Sequence, residues 1–373
     1  MRSFQLYSAL LHCYAQKECL EKAEATMQNM RELGFVKSPL SYNVMLKLYA
    51  QLGRHEKLDS LMQEMEEQGI DCHSFTFNAR LNAYASTSDI EGMEKFLIKM
   101  EADPRIKADW HAYVIAANGY LRAGLTDNSL QMVKRAEQLI SNKTRRSAFE
   151  ISLILYASIE RKDEVYHIWN LYKKMRKFSN KGYICMISSL VKLKDFDDAE
   201  KNFEEWEFGY AVYDVRVPSI LISAYCKRGL IEKAEVHINR HVASGKEPDS
   251  FMWHSLATGY KIRDEMTKAV ESMKKAILAN SPPRKLELNH LTLAACLEYL
   301  KRQGEVEAVE ELLKLLNDKG YNKLVNKMND RYQVESAVDL TEGDDSTLDQ
   351  TEGDASALDR IEGDDDTLDG EKP

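Results

Sequence analysis

The chain has 373 residues, 44% of them hydrophobic and 30% charged, enough for two ordinary domains or one long repeat array and too much for a peptide-like or collagenous reading. Glycine (17) and proline (7) stand at about half of average usage, which argues against turn-dense sandwiches and barrels and makes helix the expected class. The net charge of −9 is uneven: from Glu335 on, 15 Asp/Glu face only Arg360 and Lys372, which leaves 45 acids against 49 bases in residues 1–334.

The opening residues, MRSFQLYSALL, hold neither an apolar signal core with a cleavage site nor a transit stretch, because helical periodicity starts almost at once. Two readings stay open: an untargeted chain, or one whose natural start lies upstream. From there a ladder of landmarks runs through Tyr14, Tyr49, Tyr84, Tyr120, Tyr156, Leu190, Tyr225 and Tyr260, in steps of 34 to 36 residues. A unit of about 35 residues is being restated.

Seven residues before most rungs sits another large side chain, Tyr7, Tyr42, Phe77, Tyr113, Phe149, Tyr183 or Trp253, with Pro218 the exception. That spacing gives one apolar helix face. A small residue follows most rungs (Ala15, Ala50, Ala85, Ala157, Cys226), as two closely approaching backbones require. Gly53, Gly124 and Gly229 mark a stop at one offset, where a helix needs a left-handed residue. A second amphipathic helix follows, with Ala23, Ala199, Ala234 and Ala269 in register, and Gly34, Gly69 and Gly245 close it in three copies. The unit is a helical hairpin, and hairpins that cannot bury both faces must stack into an extended grooved solenoid.

The predicted organisation is all-α: a right-handed α-solenoid superhelix of about nine helix-turn-helix repeats with a disordered acidic C-terminal tail. Eight repeats occupy 4–276, a loop holding Pro282 and Pro283 occupies 277–289, and a degenerate repeat with a capping helix occupies 290–334. Residues 335–373 hold three near-copies of a decapeptide, TEGDDSTLDQ, TEGDASALDR and IEGDDDTLDG, too charged to order. Asp344, Asp345 and Asp349 lack calcium-loop spacing. Six cysteines without a CxxC pair read as free thiols, and the longest apolar run, near Ile151–Ile159, is about half the ~20 residues a spanning helix needs, so no membrane segment is expected.

YNVMLKLYAQLGRHEKLDSLMQEMEEQGID (Tyr42–Asp71) and ISAYCKRGLIEKAEVHINRHVASGKEPD (Ile222–Asp249) resemble pentatricopeptide repeats of the plant organellar P class, across 4–276 and more weakly 290–320. The rival tetratricopeptide pattern has 34 residues, an early Trp and a closing Pro; here the period is 35 or more and the landmark is Tyr or Phe. The resemblance implies recognition of single-stranded RNA, one base per repeat, by a residue on the first helix together with the residue that closes the unit. Carried over by position, the readers are Ser8, Asn43, Asn78, Val114, Glu150, Ile184, Ser219 and His254. The closing residues are Ser38, His73, Asp109, Arg145, Ser179, Asp214 and Asp249.

Two pairs match combinations that the family uses: Asn78 with Asp109 for uridine, and Ser219 with Asp249 for guanine. Val114, Glu150 and Ile184 form no such pair, and Glu150 is expected to repel phosphate. The family's RNA-backbone cation falls on Arg122, Lys192 and Lys227. Read as residues alone, Asn43 and Asn78 are also ordinary surface amides, and Asp109, Asp214 and Asp249 are also helix caps.

HExxH, GxGxxG, GxxxxGK[ST] and GxSxG are absent, as is any HxE with CxxC after residue 320, so no catalytic residue, cofactor or small-molecule substrate is expected. His237 and His241 lie four apart without a third ligand and are read as helix-surface residues rather than a metal site. The first functional expectation is an RNA-binding array in mitochondrial transcript processing, stability or translation, with chloroplast and cytosol as lesser alternatives. The second is a protein-binding or structural solenoid, such as a mitochondrial-ribosome-associated component.

Overall fold

The computed structural model describes residues 2–70, 74–103, 106, 108–175, 179–209, 212–279 and 290–321. The closing residue His73, most of the 277–289 loop with its two prolines, the capping helix expected after Tyr321 and the acidic segment 335–373 lie outside the described residues. Among the described residues there are eighteen α-helices and no strand. They pair in chain order as α1 (Arg2–Gln16) with α2 (Leu20–Glu32), α3 (Pro39–Gln51) with α4 (His55–Glu67), and α5 (Ser74–Ser86) with α6 (Ile90–Ala102). Next come α7 (Trp110–Arg122) with α8 (Thr126–Gln138), α9 (Arg145–Ser158) with α10 (Lys162–Lys173), and α11 (Asn180–Lys192) with α12 (Phe196–Gly209). Last are α13 (Arg216–Lys227) with α14 (Ile231–Ala243), α15 (Ser250–Ile262) with α16 (Met266–Leu278), and α17 (His290–Arg302) with α18 (Val306–Asp318).

Two compact units divide between Cys296 and Leu297, inside α17. In the first unit each first helix from α1 to α15 packs on its own second helix; α1 to α13 also pack on the first helix of the next hairpin, and α2 to α14 lean on that next first helix. Successive second helices stand further apart, so the row of first helices forms the inside of a stacked solenoid. In the second unit Leu297 and Leu300 of α17 and Val309, Leu312 and Leu316 of α18 are buried.

Each hairpin turns through one left-handed residue: Glu18, Gly53, Ser88, Gly124, Glu160, Lys194, Gly229, Asp264 and Gly304, with φ between 53° and 74°. Five of these nine are not glycine, which is why composition showed only part of the pattern. The amide after each left-handed residue donates to the carbonyl of the rung, as in Arg54 N to Tyr49 O (2.8 Å), Asp195 N to Leu190 O (2.8 Å) and Glu305 N to Leu300 O (3.0 Å). Leu190 therefore fills its rung through the main chain, and Leu300 is the ninth rung, displaced to forty residues after Tyr260.

The rung side chains are core, except that Tyr14 and Tyr84 are half-buried. Tyr156 and Tyr225 are fully buried, and rung hydroxyls donate to glutamates of the preceding second helix: Tyr49 to Glu24 (3.0 Å), Tyr120 to Glu94 (2.9 Å), Tyr156 to Glu137 (2.9 Å), Tyr225 to Glu200 (2.5 Å) and Tyr260 to Glu235. Burial first, then the carboxylate, raises the pKa of these phenols (Tyr120 to about 12), so they remain protonated donors. A lysine eight residues on lies over the ring at Tyr14, Tyr49, Tyr225 and Tyr260, through Lys22, Lys57, Lys233 and Lys268. The small residues after the rungs mark close approach: a Cβ on Gly119 would sit 3.0 Å from Cβ of Ala85, and one on Gly259 3.0 Å from Cβ of Cys226.

Candidate nucleic-acid interface

Charge is sorted between the two helix rows. In the first unit the eight first helices, α1 to α15, carry eleven Lys/Arg and a single acid, Glu150. Their eight partners, α2 to α16, carry fifteen Lys/Arg against 24 Asp/Glu. Second helices also pair with each other across hairpins, as in Arg31–Glu64 (2.7 Å), Arg135–Glu101 (2.8 Å) and Lys173–Glu205 (2.6 Å). A polyanion is thus attracted to the first-helix row and repelled by the other.

Stacking brings one expected pair together directly. Asn78 on α5 donates through Nδ2 to Oδ1 of Asp109 (3.2 Å), and the same oxygen accepts from Ala112 N (3.0 Å), capping α7. Asp109 thus caps and orients at once, while the buried Oδ1 of Asn78 finds no partner among the described residues. One repeat earlier, Oδ1 of the half-buried Asn43 accepts from Thr76 on α5 (3.0 Å). Sequence reasoning missed Thr76, whose distance of 33 residues conceals the contact.

The other pair is arranged differently. Ser219 is 6% exposed and donates to Val215 O (2.7 Å) on its own helix, while Asp249 caps α15 through Met252 N (2.8 Å). Burial lifts the Asp249 carboxyl above the ordinary range. His254 is pushed down to about 4 by burial and stays neutral near pH 7.

In the fifth repeat the expected repulsive carboxylate is withdrawn from solvent. Glu150 is 2% exposed, and its Oε1 accepts from Tyr172 OH (2.7 Å) and Ser179 Oγ (3.1 Å), with Lys181 Nζ 3.8 Å from Oε2. The two hydroxyls are 3.0 Å apart, and Ser179 also caps α11 at Gly182 N (3.3 Å). Burial raises the Glu150 carboxyl above the ordinary range. This reader and closer do meet, as a structural clamp. Val114 is buried and Ile184 half-buried, both apolar.

Arg122, Lys192 and Lys227 lie exposed in the last turns of α7, α11 and α13, where they also complement the helix dipole. His237 and His241 are not surface residues: both are buried, His237 with Nε2 3.0 Å from Glu200 and stacked on Tyr225, His241 with Nδ1 2.5 Å from Tyr213 OH. The i, i+4 spacing showed their shared face but not that the face points into the stack. Also unnoticed in the sequence were the side chains at the starts of the first helices: Leu40 (68% exposed), Phe75 (48%), His111, Arg146, Lys181, Arg216 and Phe251.

Similarity to known proteins agrees with this geometry. The family described as PPR repeat matches residues 6–35, 40–70, 75–103 and 218–240. A mitochondrial pentatricopeptide repeat-containing protein of Arabidopsis thaliana is 43% identical over 331 residues, covering 88% of this chain and 67% of the relative. The Arabidopsis large ribosomal subunit protein mL101 (rPPR4) is 42% identical over 316 residues, covering 84% and 64%. Among solved structures, the pentatricopeptide repeat protein PPR10 in complex with an 18-nt psaJ RNA element superposes with a TM-score of 0.56 at 18% identity, covering 87% of this chain and 46% of that one. The chain spans about two thirds of the length of these curated relatives. With repeat period, hairpin geometry and relatives in agreement, the chain belongs to the pentatricopeptide repeat family.

Proposed function

We propose that this chain is a P-class pentatricopeptide repeat protein that holds single-stranded RNA along its row of first helices and acts in mitochondrial transcript processing, stability or translation, without bond chemistry. The observation that carries the reading is the sorting of charge: eleven bases and one buried acid on the first helices of the first unit. Asn43, and Asn78 with Asp109, present amide and carboxylate groups suited to a Watson–Crick edge, the latter pair for uridine. Exposed Leu40 and Phe75, one turn before these readers, offer apolar surface for a splayed base. Ser219 with Asp249 reads guanine once the serine hydroxyl turns from Val215 O. Arg122, Lys192 and Lys227 contact phosphates. The mitochondrial setting is supported by the names of relatives.

Crosslinking of the chain to an RNA pool, followed by footprinting, tests the reading. A footprint with uridine opposite the third repeat and guanine opposite the seventh supports it. Asn78→Ala should weaken that RNA by about 1–3 kcal/mol without unfolding the chain, and equal affinity for every RNA in both proteins refutes base reading. A second reading, docking on a ribosomal particle, is favoured by the likeness to mL101 and by the closed readers Val114 and Glu150. Cosedimentation with ribosomal particles that survives high salt supports this alternative.

A further inference from the structure

The first-helix cations are concentrated where the readers are closed. At successive intervals of 35 residues, the chain places Arg146, Lys181 and Arg216 at the starts of α9, α11 and α13; the flanking members of this register are His111 and Phe251. Arg146 and Arg216 are exposed, and Lys181 is half-buried with Nζ 3.8 Å from Glu150. Asp214 holds the Arg216 guanidinium at 2.9 Å. None of these three helices has an acid in its first turn.

These positions are unfavourable for fold stability. A cation in the first turn opposes the helix dipole, and three successive stacked helices repeat the arrangement. Two acids lie against the line: Glu150, engaged by two hydroxyls and 3.8 Å from Lys181, and Asp214, bound to Arg216. Both carboxylates are largely buried (side chains 2% and 13% exposed) while the Arg146 and Arg216 guanidinium groups stay exposed, so the outward-facing charge of repeats five to seven is positive, beside the readers Val114, Glu150 and Ile184, which offer a base no free polar group.

We propose that Arg146, Lys181 and Arg216 form a phosphate-binding tract that carries the RNA strand past repeats four to six without reading its bases. This rests on the RNA-binding reading above and specifies it: base selection is confined to the flanking repeats, and the middle of the footprint is blind to sequence. An arginine fork or a lysine ammonium suits a phosphate oxygen, and such contacts position a strand without identifying its bases.

The test compares the full chain with the triple variant Arg146→Gln/Lys181→Gln/Arg216→Gln and with a charge-keeping control, Arg146→Lys/Lys181→Arg/Arg216→Lys. Affinity for an RNA matched at repeats three and seven is titrated against salt. Removing three phosphate contacts should make the slope of log K against log salt shallower by about 2. Affinity should fall by the same factor for RNAs that differ only opposite repeats four to six. The control should keep the wild-type slope, and the melting temperature of the glutamine variant should stay near wild type, since removal of three cations from helix N-termini offsets the loss of the Lys181–Glu150 and Arg216–Asp214 pairs. An unchanged slope in the glutamine variant, while Asn78→Ala still weakens binding, overturns the tract and leaves RNA binding standing. So does selection from a random pool that fixes one base opposite repeat five. If the wild-type chain binds no RNA at all, the parent reading falls and takes the tract with it.

Discussion

Replacement of Glu150 separates a buried structural clamp from an RNA-facing carboxylate. In Glu150→Ala, Tyr172 OH and Ser179 Oγ lose their common acceptor, held at 2.7 and 3.1 Å. Because the two hydroxyls are 3.0 Å apart, one can donate to the other, so one buried donor rather than two is orphaned. That orphan costs about 1–3 kcal/mol. Loss of one buried methylene adds about 0.8 kcal/mol, offset by relief of a buried charge. The net destabilisation should be about 1–3 kcal/mol, read from urea unfolding followed by far-ultraviolet circular dichroism.

Glu150→Gln keeps an acceptor oxygen and sheds the charge, so near pH 7 it should match or exceed the wild type. The pH dependence follows from the raised carboxyl pKa, whose first cause is burial. The folded state binds this proton more tightly than the unfolded state. The resulting stability is fully present below the ordinary carboxylate range and is lost as pH rises through the raised folded value. The advantage of glutamine over wild type should therefore shrink from pH 7 towards about 4.3, the ordinary glutamate value. An alanine variant within about 0.5 kcal/mol of wild type, below the orphaned-donor penalty, would refute the clamp. A glutamine variant as damaged as alanine, or a glutamine advantage constant with pH, would do the same.

The hairpin turns give a paired expectation. Ser88→Gly and Glu160→Gly remove side chains from left-handed residues (φ 57° and 59°) and should stabilise by up to about 1 kcal/mol, whereas Gly53→Ala (φ 63°) should destabilise by a similar amount although a Cβ there meets no atom within 4 Å. Glycine variants that melt below wild type, or a Gly53→Ala chain that melts with it, would contradict this. Tyr156→Phe removes the donor to Glu137, a carboxyl that burial already lifts above the ordinary range, and should cost about 1–2 kcal/mol. A melt indistinguishable from wild type would show that this hydroxyl contributes no net stability.

What the sequence made visible was whatever repeats at a fixed offset. The rung could be read because its side chain is buried in copy after copy, and Leu190 kept its place because the turn uses a carbonyl that every residue has. Leu300 was hidden by a forty-residue step, and the turns at Glu18, Ser88, Glu160, Lys194 and Asp264 by the lack of glycine. Asn78 and Asp109, paired by the family resemblance, touch because one repeat of separation is one step of stacking. The partners of Glu150 were not legible, since Tyr172 lies on a second helix and Ser179 at a cap, and only the stack brings both to one carboxylate. The burial of Ser219, His237 and His241 depends likewise on which helix faces meet, and periodicity alone does not say which neighbour a face meets.

The rung tyrosines connect this architecture to the charge it displays. A buried phenol needs an acceptor, and in the stack the acceptor is supplied by the preceding second helix, as Glu24, Glu94, Glu137, Glu200 and Glu235. Placing acids there satisfies the core and draws negative charge onto the second-helix row, where Arg31, Arg135 and Lys173 neutralise further glutamates. The first helices contribute hydroxyl donors to that core and need few acids of their own, so the row keeps an excess of cations although Arg80, Lys181 and Arg216 have carboxylate partners. The pattern that satisfies the buried tyrosines is thus the same one that leaves a positive row for an anionic strand, and Glu150, the single acid on α1 to α15 of that row, conforms to it by being buried.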